Sequence, residues 1–309
     1  MTFTHILLPL DGTAMAERVI PVARGLADAR ATRITLLHVL EHAAPARKHG
    51  ELHLREASAA ETYLRSLAER AFAGHAQIEW HTHDHGVRDL PASLAEHAQE
   101  FRPDLVVMCA HGNQWWRGWL RGNLAQRFLR HAVRKSGAEA RVPILLVQPD
   151  ARGRIVFPFR RILVPLDGSD AHEQGLDPMA KIATGLRIPV LLYTAIAPGA
   201  SIRGRKGTIT TLLPRTTEEV LRLAQAQAAA HLDVHVRELR AAGIEVAGRV
   251  AREEPASGIV RTAAEVNADL IVLGTHAWTA TGALWATGVT SRVLQTAQTS
   301  FLLAPGSDG

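Results

Sequence analysis

Two aspartates stand where an apolar run hands over to a helical pattern. Asp11 follows Ile6-Leu-Leu-Pro-Leu10 and precedes Gly12-Thr13; Asp167 follows Ile162-Leu-Val-Pro-Leu166 and precedes Gly168-Ser169. A carboxylate there can accept hydrogen bonds from a base or sugar, or it can cap the helix that follows. A second kind of turn comes later. Gly112 is followed ten residues on by Gly122-Asn123, where a helical pattern begins. Glycines let backbone amides approach a phosphate, and a helix N-terminus favours an anion. The chain contains neither a G-x-x-x-x-G-K-[ST] loop nor a G-x-G-x-x-G fingerprint, so neither motif supports phosphate binding here.

Three histidines, His81, His83 and His85, alternate along Ile78–His85. On a strand they share one face, and with Asp84 nearby they could hold zinc or copper. Against this, neighbours on a flat strand lie ~6.5–7 Å apart and converge poorly. A polar face on an edge strand is the plainer reading. Cys109 is the only cysteine; at the end of an apolar run it reads as a buried, inert thiol. His111 and His276 hold equivalent positions in two copies of one segment.

The elements that must position these residues occur twice. His5–Thr13 recurs as Arg161–Ser169, and Asp104–His111 recurs as Asp269–His276. A chain of 309 residues duplicated so evenly implies two domains of about 150 residues each. The patterning predicts strands near 4–9, 33–40, 78–85, 104–110 and 142–148, with helices near 14–30, 51–73, 90–101 and 121–136. In the second half it predicts strands near 161–166, 189–195, 244–250, 269–274 and 300–304. The helices there are expected near 171–186, 216–242, 255–267 and 284–297. Most of these strands are unbroken runs of Ile, Leu and Val, the signature of strands buried on both faces of a parallel sheet. The third strand of the first half alternates instead and is expected at an edge. The expected fold is α/β: two similar doubly wound open parallel-sheet domains, 1–150 and 158–309, with a linker at 150–159.

Composition excludes several classes. Hydrophobic residues make up 47% and charged residues 21%, as in ordinary globular proteins. No apolar run reaches the ~20 residues of a membrane span. A basic N-terminal signal pattern is missing and a lone cysteine forms no internal disulfide, so a cytoplasmic location is expected. The net charge of +5 comes mostly from arginines scattered along helices, which does not make a nucleic-acid surface. Only Ser201–Gly207 is densely basic; it reads as a solvated connection or a lid over an anion. Five of the six tryptophans fall in two corresponding loops: Trp115, Trp116 and Trp119, then Trp278 and Trp285. Packing at a contact explains them better than stacking on a ligand.

Taken together, the opening I-L-[LV]-P-L-D-G-[TS], the D-L-[VI]-V strand and the closing Pro143-Ile-Leu-Leu-Val147 resemble the universal stress protein family. So does Gly122–Ala132, which is similar to that family's G-S-V-A-E-R-V-L-R-H-A helix. The resemblance spans nearly the whole chain as a tandem of two such domains. It implies an adenine nucleotide alpha-hydrolase-like fold and, in one branch, ATP binding through a G-x-x-G-(nine residues)-G-[ST] loop. In the first half that loop reads Cys109, Gly112, Gly122, Asn123; in the second it reads Gly274, Ala277, Thr287, Gly288. Asn can still donate to a phosphate, so the first half is the better ATP candidate. The resemblance also places adenine near Asp11 and Val39, or near Asp167 and Thr194, with Leu10 and Leu166 flanking. It implies that the halves pair through their fifth strands as a pseudo-dimer. The expected function is a stress-response regulator or sensor that binds an adenine nucleotide, with a further copy of the chain or another protein as partner. The rival is a scaffold that acts through protein contacts. Nothing resembles a catalytic base, an arginine finger or a metal dyad, which argues against a fast hydrolase.

Overall fold

Apolar runs flanked by Gly, Pro and Asp become strands buried on both sides. The computed structural model describes residues 2–42, 47–48, 51–52, 54–110, 142–150, 152–169, 173–198, 214–275 and 288–305. The first half contributes β1 (His5–Pro9), β2 (Arg33–Glu41), β3 (Ile78–Val87), β4 (Leu105–Cys109) and β5 (Ile144–Val147). The second contributes β6 (Ile162–Pro165), β7 (Val190–Ile196), β8 (Val246–Arg252), β9 (Leu270–Thr275) and β10 (Ser300–Pro305). Alternate residues face opposite ways. Ile6, Leu8, Leu105, Val107, Leu145 and Val164 enter one core, whereas Leu7, Val106, Ile144, Leu146 and Leu163 enter the other. Each core draws on both halves of the chain.

One ten-stranded sheet results, ordered β8-β7-β6-β9-β10-β5-β4-β1-β2-β3. Pairing is parallel within each half. The halves meet where β10 runs antiparallel to β5, with Phe301 opposite Leu146, Leu302 opposite Leu145 and Leu303 opposite Ile144. This register keeps Leu302 and Leu145 in one core, and Phe301, Leu303, Leu146 and Ile144 in the other. A slip by one residue would reverse those faces. The expected fifth-strand pairing is therefore present, and β3 lies at the outer edge as its alternation implies.

Helices cover both faces: α1 (Ala14–Glu17), α2 (Ile20–Leu26), α3 (Ala57–Ala71) and α4 (Leu90–Phe101) in the first half. The second half has α5 (Leu176–Leu186), α6 (Pro214–Ala241), α7 (Pro255–Glu265) and α8 (Val289–Thr296). Two differences from the sequence reading have local causes. The single helix expected over 14–30 is two short helices, because Val19 starts a new helix whose first turn holds Pro21. The helix expected from 51 begins at 57, since Arg47–Lys48 and Glu51–Leu52 form a small antiparallel hairpin. The helix expected near 121–136 lies outside the described residues.

A repeated aspartate fixes the sheet centre. Asp104 accepts from the backbone N–H groups of Thr4 (2.9 Å) and His5 (2.8 Å). Asp269 does the same for Arg160 (2.9 Å) and Arg161 (3.2 Å). Each carboxylate thus holds the start of a fourth strand against the start of a first strand. Further contacts tie the halves together. Lys181 reaches Asp104 at 3.3 Å and sits over the Phe3 ring, and the Ser300 hydroxyl accepts from the Gln148 N–H at 3.1 Å.

Leu145→Pro is expected to remove a donor from a central strand, at a cost of roughly 3 kcal/mol or more. Limited proteolysis should then cut the 150–160 segment faster than in the parent protein. Unchanged cleavage there would show that the central pairing does not hold the halves together.

Candidate functional site

Strand order reverses between β1 and β4 and again between β6 and β9. In open α/β sheets such reversals leave a crevice beyond the carboxyl ends of the strands. Asp11 and Asp167 stand at those two places. Thr13 donates to Asp11 Oδ1 from its N–H (3.1 Å) and from its hydroxyl (2.7 Å). Ser169 treats Asp167 Oδ1 the same way, at 3.0 and 2.6 Å. The helix cap is Thr13, whose hydroxyl accepts from Ala16 N–H at 3.2 Å. Asp11 therefore braces the residue that caps the helix. The tight turn requires glycine, with φ at +84° for Gly12 and +82° for Gly168. Asp167 is solvent-exposed, and Asp11 is half-buried.

The flanking leucines are structural. Leu10 and Leu166 are buried in the core. Their N–H groups donate to Leu37 and Tyr193 carbonyls at 2.8 Å in both halves. Their carbonyls accept from the ends of the second strands: His38 Nδ1–H at 2.7 Å in the first half, and the Thr194 hydroxyl at 2.9 Å in the second. This corrects the sequence correspondence. Pro9 pairs with Leu37 and Pro165 with Tyr193, so Thr194 matches His38, and Val39 matches Ala195. An unlike pair, imidazole and hydroxyl, performs one task, which hides the register from residue-type matching. Val39 is itself buried, in the core under α4.

In the second half the crevice is a cleft of ≈ 140 Å³ at the ends of β6, β7 and β9 and the starts of α7 and α8. Its lining includes Leu166, Asp167, Tyr193, Leu273 and Val289. The size is close to the ~150 Å³ that accepts a benzene-sized ring, and below the ~300 Å³ at the low end of most ligand pockets. Gly288 is the extended residue just before α8, and Gly274 is buried inside β9 opposite Ala304. Beside the cleft, the Tyr193 hydroxyl donates to Glu253 at 2.5 Å. Burial, and then the Glu253 carboxylate, push the Tyr193 phenol well above its ordinary range. Burial opposes ionisation of Glu253, but hydrogen bonds from Arg261 and Tyr193 outweigh it and hold the carboxyl low. Glu254 caps α7 and takes a two-pronged bond from Arg292 at 2.7 and 3.0 Å.

The remaining sequence candidates separate. Gly112, Gly122, Asn123, His111, His276, Ala277, Thr287, the five loop tryptophans and the basic Ser201–Gly207 segment all lie outside the described residues. His81 and His83 share a face as expected, but their rings pack on buried His97 of α4, with centroids 5.2 and 5.0 Å away. The His85 side chain lies outside the described part. Burial pushes the Cys109 thiol up to about 12, which keeps it protonated and unreactive near neutral pH. The sequence reading missed one cluster: Glu173, His231 and His235, whose metal-capable atoms lie within 4.8 Å of one another. The four-residue spacing His231-x-x-x-His235 was the available signal, hidden inside a helix of 28 residues.

Two outcomes follow. A Cβ at Gly12 would meet Leu54 at 2.6 Å, whereas one at Gly168 meets nothing within 4 Å among the described residues. Both alanine variants carry the left-handed backbone cost of ~1–2 kcal/mol, so urea denaturation should show Gly12→Ala as the more damaging of the two. Cys109 should resist iodoacetamide near neutral pH and react only after denaturation; rapid labelling of the native chain would contradict its burial.

Solved structures share this architecture over its full length. A universal stress protein from Archaeoglobus fulgidus DSM 4304 superposes with a TM-score of 0.63 at 15% identity, covering 98% of this chain and 97% of that one. A putative universal stress protein from Pseudomonas aeruginosa UCBPP-PA14 gives 0.58 at 16% identity, covering 98% and 94%. At such identities the likeness concerns the fold alone. A search of curated proteins finds no match. The family model for universal stress proteins matches residues 2–133 and again 158–305, one match in each half of the ten-stranded sheet, and the chain therefore belongs to the universal stress protein family.

Proposed function

We infer that the protein binds an adenine nucleotide, ATP, in its first half, and acts as a stress-response regulator or sensor. The observation that carries this reading is the place of Asp11. It stands at the reversal of strand order, with one oxygen locked by Thr13. Gly112 and Gly122 retain two of the four loop positions through which the family's ATP-binding branch holds phosphates, and Asn123 puts an amide donor at the Ser/Thr position. A backbone that approaches closely and a helix N-terminus suit a triphosphate better than a carbonyl or apolar ligand.

The second half supports a different use. Its cleft of ≈ 140 Å³ fits a ring and not a whole nucleotide. Glu253 and Glu254 immediately precede Pro255 of its lining and engage Arg261 and Arg292 in ion pairs, so both cations are already committed when a phosphate chain arrives. Ala277 and Thr287 replace glycines in its loop. On this reading the second half is a contact or regulatory module, as the scaffold alternative has it, while the first half carries the nucleotide.

Calorimetric titration of the full chain with Mg-ATP provides the test. Gly122→Val should abolish binding with the fold intact by circular dichroism, because a branched side chain crowds the phosphate path. Asp11→Ala should weaken binding by about tenfold, the worth of one or two lost hydrogen bonds. Gly288→Val and Asp167→Ala should leave affinity unchanged. Loss of binding in the second-half variants and not in the first would reverse the ranking.

A further inference from the structure

We propose that Glu173, His231 and His235 form a binding site for a divalent transition-metal ion of the zinc type. His231 and His235 lie one helical turn apart on α6 and share a face of the helix. Their rings are nearly perpendicular, with centroids 4.8 Å apart. Glu173 comes from a different element, just ahead of α5, and its N–H donates to the Ser169 carbonyl at 3.3 Å. The anchoring is firm, because Leu232, Val236 and Leu239 of α6 and Met179 and Ile182 of α5 enter the same core. Two helices and the turn after β6 thus bring three donors together.

The distances favour a metal over a simple ion pair. Glu173 Oε1 lies 3.2 Å from His231 Nε2 and 3.4 Å from His235 Nε2. A charge-assisted N–H···O bond prefers about 2.7–2.9 Å. Both Nε2 atoms are buried and make no hydrogen bond of acceptable geometry, a costly arrangement for two imidazoles. By contrast, a tetrahedral ion bound at about 2.0–2.1 Å places its ligand atoms about 3.3–3.4 Å apart. The two measured separations match that edge.

The surroundings fit as well. His235 is 9% exposed, and its Nδ1 lies 3.4 Å from Glu238 Oε2. The charge of that carboxylate on the far side of the ring favours the tautomer that carries its proton on Nδ1 and leaves Nε2 to ligate, the arrangement of carboxylate–histidine–metal triads. Two imidazoles and one carboxylate suit zinc better than magnesium or calcium, which prefer oxygen donors. A three-ligand set leaves one position for water or an incoming group. The site opens four residues after Ser169, which braces Asp167, so a bound ion would tie α6 to the turn at the second crevice.

Chelator-treated full-length protein, free of nucleotide, should be titrated with zinc by calorimetry and with cobalt by visible absorption. One saturable site per chain is expected, with the strong visible bands of four-coordinate cobalt. Glu173→Gln and His231→Asn replace half-buried side chains with smaller or isosteric polar ones, so both should stay folded by circular dichroism. Each should weaken zinc by roughly tenfold or more, the scale on which even outer-shell changes act. A His81→Asn, His83→Asn double variant should bind as the parent does. The assignment is overturned if the parent binds no zinc saturably, or if affinity survives in both ligand variants. It is equally overturned if affinity falls only in the double variant. No nucleotide enters the experiment, so its result is independent of the ATP reading.

Discussion

Everything in this molecule is arranged around the antiparallel contact between Ile144–Val147 and Phe301–Leu303. Each half alone would leave a fully apolar fifth strand at a sheet edge, with unpaired backbone groups and two greasy faces. Such an edge is a template for aggregation. Pairing the two edges satisfies both and makes two cores continuous across the chain. The strands of one half consequently point opposite to those of the other. The crevices beyond their carboxyl ends therefore open on opposite borders of the sheet, and no single small ligand can bridge them. Among the described residues the halves touch through the central strands, the Lys181–Asp104 ion pair, the Ser300–Gln148 contact and the packing of α2 on α5.

Duplication preserved what the backbone needs, while the residues around the crevices diverged. The Asp-Gly-hydroxyl turn is the same in both halves, down to which carboxylate oxygen takes both hydrogen bonds. Asp104 and Asp269 also perform one identical task. Around the crevices the residues differ: Leu37 against Tyr193, His38 against Thr194, Cys109 against Gly274. Tyr193 draws Glu253 and Arg261 into a polar network beside the second crevice. A common frame with unlike linings is what two halves with different ligands would require.

That polar network, beside a small cleft, characterises the second crevice. Arg261 and Arg292 are each held by glutamates that also brace a neighbouring element. Cations engaged in this way are poorly available to a phosphate, since releasing them would strand a carboxylate close to the ligand. The histidines of α6 belong to the same half but to the opposite face of the sheet, against the core of Leu232 and Val236. The second half therefore places polar side chains on both faces of the sheet.

Much of this was legible in the sequence alone. Unbroken runs such as Leu105–Cys109 and Ile144–Val147 require burial on both faces, and alternation in Ile78–Val87 marks an edge; period and polarity are local properties, so no tertiary information is needed. The Asp-Gly-[TS] turns were equally plain, because only glycine takes a φ near +80° cheaply. What the sequence could not decide depended on pairing between distant segments. The break at Val19 and the hairpin at Arg47–Leu52 interrupt helical patterns that look continuous in one dimension. The equivalence of His38 with Thr194 follows from strand register, which residue types conceal. His81 and His83 form a shared face as their spacing demands, yet it took α4 to cover them with His97. Glu173 and His231 are separated by nearly sixty residues of chain and meet only because two helices pack on one sheet face. Spacing determined the elements; packing alone determined which side chains meet, because contact between distant segments is a property of the folded sheet and not of any local pattern.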